Sequence, residues 1–242
     1  MEQNYQMRVA SLSTSSTLSA VGVLTLSGPN VILAALTQSP WVFFIVSLIG
    51  FGLWLAGMYN TSTAFKGAND NVATLYKKFF SIHLSLLVVA AVYWIINRMI
   101  VSSNSSMENI LDLDRHKTSY IIMQLLSVAF IVYSIVCIAR SISVSRALKA
   151  AGLRSMGHVS VAFIIILIVS LISAFASLFV IFRTKDSALF FIDRDFVDGL
   201  AVIFTLVGLA SLVAVVFMNI GWWSVRSELP KVLGETSDKA EL

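Results

Sequence analysis

Little in this sequence could serve chemistry in water. It carries one cysteine, three histidines and three prolines in 242 residues, and only 12% of its residues are charged. A single cysteine, Cys137, excludes an internal disulfide and any thiolate zinc or iron–sulfur site built by this chain alone. Lying inside an apolar run, it reads as a small helix residue. The three histidines, His83, His116 and His158, are too few to hold a pair of haems across a membrane, so no cofactor and no metal is expected. Three prolines leave no Pro-rich linker and no sign of a second soluble domain. The Gly-x-x-x-x-Gly-Lys-Ser/Thr phosphate loop, Gly-x-Ser-x-Gly and His-Glu-x-x-His are all missing. So are the Thr-Val-Gly-Tyr-Gly filter and the regular arginines of a voltage sensor, and the last apolar segment has no lysine for a retinal Schiff base. A membrane enzyme would need acids, bases or metal ligands clustered at one depth, and no such cluster can be assembled. No catalytic residue is expected.

What is abundant is apolar surface. Hydrophobic residues make up 57% of the chain and the mean hydropathy is +0.86. A soluble domain of this size carries about a quarter charged residues, so the excess must face lipid or other buried helices. Five segments, 41–59, 79–101, 119–138, 159–182 and 196–218, are predominantly apolar, with His83, Asn97 and Arg98 in the second, Gln124 in the third and Asp198 at the start of the last. Each approaches the roughly 20 residues that cross a hydrocarbon core of about 30 Å as a helix. Barrel strands would instead alternate over about ten residues. The expected fold is therefore all-α, a polytopic transmembrane helix bundle. Residues 17–37 form a sixth, weaker stretch interrupted by Gly28-Pro29, either a kinked span or an interfacial segment. Residues 1–16, rich in Ser and Thr, read as a polar tail, and 224–242 as a short charged, solvated tail. Between them, 17–223 form one transmembrane domain.

The formal charge of +4 does not point to nucleic acid, because the basic residues sit between apolar segments, as orientation charges do. Lys66, Lys77, Lys78, Arg140, Arg146, Lys149, Arg154, Arg226, Lys231 and Lys239 fall on one side, ten in all, against five on the other: Arg115, Lys117, Arg183, Lys185 and Arg194. This bias places the ten, and the C-terminus, in the cytoplasm, in a plasma or secretory-pathway membrane. The sequon Asn104-Ser105-Ser106 then lies outside, which makes Asn104 a glycosylation candidate. Trp41, Tyr93 and Trp94 form an outer aromatic belt, and Tyr59, Trp222 and Trp223 an inner one. Three small-residue pairs predict close helix approach: Gly52 with Ala56, Ser170 with Ala174, and Ser173 with Ser177.

Ionisable groups inside spans are functional hypotheses by default. Arg98 and Asp198 lie at similar depth near the outer ends of two helices and could pair. Asp198, Thr205, Leu212 and Asn219 recur every seven residues and predict an interior polar stripe. His83 lies on the same broad face as Arg98, nearer the inner end. These residues (Arg98, Asp198, Thr205, Asn219 and His83) define a candidate polar binding layer. Two functions follow from it. One is a small-solute or ion transporter, channel or membrane sensor with a polar site in the outer half. The other is a structural or accessory subunit, with a homo-oligomer or a membrane complex as its setting.

Overall fold

The computed structural model describes residues 2–27, 40–105, 113–186 and 194–240. It contains six helices: α1 Glu2–Ser27, α2 Pro40–Phe65, α3 Asp70–Ser105, α4 Leu113–Ala150, α5 Met156–Asp186 and α6 Arg194–Ala240. No strand occurs among the described residues, and all six helices contain a stretch long and apolar enough to cross a membrane. The chain is an all-α integral membrane protein. Consecutive helices pack as antiparallel neighbours, and α6 returns to pack on α1, which closes a ring.

Two expectations about the ends need correcting. The polar segment 1–16 is not a tail: α1 is helical from Glu2, with Leu12, Ser15 and Ser16 buried. Its hydroxyls donate to carbonyls one turn back, Ser15 Oγ to Ser11 at 2.7 Å and Thr17 Oγ1 to Ser13 at 2.7 Å. That back-bonding hides their polarity and lets a Ser/Thr-rich stretch enter a membrane as helix. A span long and apolar enough to cross a membrane runs over Gln6–Leu26, so it starts earlier than the expected 17 and includes most of the described part of the 17–37 stretch. Residues 28–37 of the expected kinked span lie outside the described residues. At the other end, the expected charged tail is helical as far as Ala240, the continuation of α6. Val225, Leu229, Val232 and Leu233 are buried, at the i, i+4, i+7, i+8 spacing of a helical stripe.

The turns explain how the ring closes on one end. Between α2 and α3, Gly67 adopts φ +74°, Asp70 accepts from the Gly67 amide at 2.8 Å, and Asn69 caps the Val72 amide at 3.2 Å. Between α4 and α5, Gly152 adopts φ +106° and the Leu153 amide reaches back to Leu148 at 3.1 Å, the six-to-one bond of a Schellman turn. Glu228 of α6 then accepts from the Ser155 amide at 3.0 Å and from its hydroxyl at 2.8 Å, a carboxylate at the positive end of α5. The α6 extension is thereby tied to a distant turn.

Burial divides the bundle into two zones. α6 has 47 residues, roughly 70 Å of helix at 1.5 Å per residue, against about 30 Å of hydrocarbon. The surplus lies at the basic end. Phe65, Val72, Tyr76, Leu148, Leu153, Met156, Val225 and Leu229 are fully or almost fully buried there, while Lys77, Lys78, Arg140, Arg146, Lys149 and Arg226 surround them exposed. This is a helical head at the water's edge, where apolar burial is driven. Toward the opposite end the helices are covered far less, and Met99, Leu125, Phe175 and Leu206 are each more than 60% exposed. Between lipid tails no hydrophobic force draws helices together.

The tightest seam is α1 on α2. A Cβ at Gly22 would sit 2.6 Å from the Gly50 carbonyl oxygen, and one at Gly57 would sit 2.6 Å from the Ser19 backbone nitrogen. The pair expected to make this approach, Gly52 and Ala56, is exposed instead, and Gly52 faces open space. The packing face carries Gly50 and Gly57, two helical turns apart. Ser170 and Ala174 are half-buried; the Ser177 side chain lies outside the described residues.

Candidate functional site

The centre of the ring, where the head meets the hydrocarbon, is filled by side chains from four helices. Trp54 of α2, Phe79 and His83 of α3, Phe163 of α5 and Trp222 of α6 are all buried. The His83 ring lies 4.4 Å from Trp54, 4.6 Å from Phe79 and 5.7 Å from Phe163, centroid to centroid. Trp222 closes the cluster at 5.9 Å from Trp54 and 6.0 Å from Phe79. Several pairs meet edge to face, a favourable arrangement for aromatic quadrupoles.

His83 is the polar member. Its Nδ1 lies 2.8 Å from the Phe79 carbonyl oxygen, which can only accept, so Nδ1 carries the proton. Nε2 faces the Ser141 hydroxyl of α4 at 3.4 Å. That hydroxyl donates to the Cys137 carbonyl at 2.9 Å, so its single proton is already committed. One layer away, Ser160 donates to Ser145 at 2.7 Å, because the Ser145 proton goes to the Ile142 carbonyl. The indole nitrogens of Trp54 and Trp222 and the Tyr76 hydroxyl are buried without an acceptor among the described residues. Chemically the plug offers hydrogen-bond donors and one imidazole. Among the described residues it has no carboxylate, the Ser141 hydroxyl beside the imidazole turns its proton to the Cys137 carbonyl instead, and no group of three His, Cys, Asp or Glu could hold a metal.

No family model, curated protein or solved structure matches this chain. Its function is therefore inferred from geometry alone.

Of the residues singled out in the sequence, those whose side chains are described do not come together in one site. His83 is the buried one. Arg98 is exposed, with its guanidinium carbon 5.7 Å from the Trp94 ring centroid, a cation–π contact within its own helix. The Asp198 side chain lies outside the described residues, so its pairing with Arg98 does too. Thr205 is exposed and donates to the Ala201 carbonyl at 2.8 Å, and Leu212 is 58% exposed. Asn219 is half-buried and bonds the Val215 carbonyl at 2.9 Å. The inward face of α6 is offset from the expected stripe and runs through Ala214, Gly221, Trp222, Val225 and Leu229. The Asn104 side chain also lies outside the described residues. Trp222 departs from its expected place in the inner belt by entering the plug, whereas Trp223 and Tyr59 are 55% exposed, as a belt requires. Tyr93 stacks on Phe130 at 4.8 Å and donates to Ser127 at 2.9 Å.

Trp54, Phe79 and Phe163 are the plug residues that the sequence does not single out, and Trp54 is the one that could have been found. A signal for it exists: a tryptophan in mid-span, away from both interfaces, has to find a packed environment for its large ring.

Proposed function

We propose that this protein is a structural or accessory subunit of a larger membrane complex, its basic face and both helix ends α1-N and α6-C on the cytoplasmic side of a plasma or secretory-pathway membrane. The observation that carries the reading is the aromatic plug. Five large side chains occupy the axis of the ring where a solute path would have to run, and of the polar groups expected to line such a path Arg98 and Thr205 are exposed and Asn219 is bonded to its own backbone. A second feature supports it. In α6, residues 201–203, 205, 206, 208 and 209 are all exposed, positions that together cover more than half of the helix circumference, and Gly208 has open space around it. A transmembrane helix of another subunit could approach closely there. The test is a native mass measurement after extraction in mild detergent. A co-extracted membrane partner or a homo-oligomer is expected; a stable monomer from every detergent overturns the reading.

A small-solute or ion transporter, channel or sensor is the second reading, and Arg98 favours it, as a charge kept within an apolar helix. Arg98→Ala and Asp198→Ala would then abolish uptake, conductance or ligand response in a protein that still folds. Under the accessory reading neither substitution alters solute flux.

A further inference from the structure

Away from the plug, one cleft opens between the start of α1 and the end of α2. It has a volume of about 360 Å³ and is lined by Met7, Arg8, Ser11, Asn60, Thr63 and Ala64. We propose that it binds the phosphate group of an anionic membrane lipid.

Three observations carry this. First, the donors are unspent. Arg8 is half-buried beside the cleft, and among the described residues its guanidinium has no ion pair or hydrogen bond, nor have the Asn60 amide and the Ser11 hydroxyl a hydrogen-bond partner. A guanidinium flanked by an amide and a hydroxyl is a donor set suited to phosphate oxygens. Second, the depth is that of headgroups. Ser62 donates to the Ala73 carbonyl at 2.9 Å and Tyr59 meets Phe80 at 5.5 Å between centroids. Between these two contacts Asn60 comes level with exposed Lys77 and Lys78, where the basic head meets the hydrocarbon. Third, the cleft is two-faced. Met7 is 58% exposed at its edge, an apolar surface for an acyl chain, and Lys66 follows Thr63 one turn toward water, a second cation for the same headgroup. Basic side chains at this level attract anionic lipid whichever leaflet they face.

The test uses full-length protein reconstituted in phosphatidylcholine vesicles with and without phosphatidylglycerol, then read by native mass spectrometry after gentle extraction. Retention of phosphatidylglycerol is expected, falling about fivefold in Arg8→Gln, the factor one basic side chain supplies at a membrane surface. It should recover in Arg8→Lys and stay unchanged in Lys78→Gln, a cation at the same level outside the cleft. Unchanged intrinsic tryptophan fluorescence, reporting buried Trp54 and Trp222, shows that each variant is folded. Equal losses in Lys78→Gln and Arg8→Gln would reduce the effect to a diffuse basic field and overturn the site. Inorganic phosphate displacing the lipid from the natural protein but not binding Arg8→Gln would make the ligand a soluble phosphate, which overturns the lipid assignment.

Discussion

His83 has two ring nitrogens to satisfy among aromatic rings. One is met by a carbonyl of its own helix, which is already an acceptor in the backbone ladder, and the other faces a hydroxyl whose proton is engaged elsewhere. Its polar bonds therefore add little, and its main contribution is shape. His83→Phe should accordingly change stability by less than about 1.5 kcal/mol, the range of volume-conserving core swaps. His83→Ala would open a void between Trp54, Phe79 and Phe163 and destabilise by about 3 kcal/mol or more. Unfolding monitored by tryptophan fluorescence separates the two. Loss of folding in His83→Phe would mean that the imidazole is needed as a hydrogen-bonding group and would strengthen a sensing role for the plug.

At the scale of elements, α1 is held by shape rather than by apolarity. Gly57 lies against the backbone of Ser15 and Ser19, so even one added methyl group must push two helices apart. Gly57→Ala should destabilise the α1–α2 seam by about 1–3 kcal/mol, while Gly52→Ala, in open space, should be neutral or slightly stabilising through helix propensity. Thermal unfolding in detergent gives the comparison, and equal effects would contradict the seam. This element also marks where sequence reasoning runs short. Five spans are legible because a chain that folds in water seldom carries a continuous apolar run long enough to cross a bilayer. α1 is legible only from residue 17 on, because reading 1–16 as a polar tail weighs the Ser and Thr hydroxyls at face value and cannot know that Ser15 and Thr17 bond back along the helix. The inward faces are illegible for a related reason: most faces of these helices are apolar, so periodicity cannot choose between the Gly52 and Gly57 sides of α2, or between the Thr205 and Ala214 faces of α6. His83 is found because a lone ionisable group in a span stands out. Its aromatic partners come from helices distant in sequence and carry no shared local pattern.

Across the whole molecule, stability should follow the boundary between water and lipid rather than apolarity itself. Leu148 and Leu229 are almost completely buried in the basic head, whereas Leu206 and Leu209 are 61% and 56% exposed in the opposite half of α6. Truncating the first pair removes burial from water and leaves cavities, so Leu148→Ala and Leu229→Ala should each destabilise by about 2–5 kcal/mol. Truncating the second pair changes little, because an inserted but unpacked helix keeps those side chains in lipid as the folded one does. Leu206→Ala and Leu209→Ala should fall within about 0.5 kcal/mol of the natural protein. Reversible denaturation in bicelles of the isolated chain supplies both values. The same measurement on material extracted with its membrane partners then links stability to the accessory role. If α6 lies against another subunit, Leu206→Ala should leave the isolated chain unchanged and weaken only the assembled complex. A deficit already present in the isolated chain would mean that α6 packs against its own bundle over this length, and the surface assigned to a partner would be withdrawn.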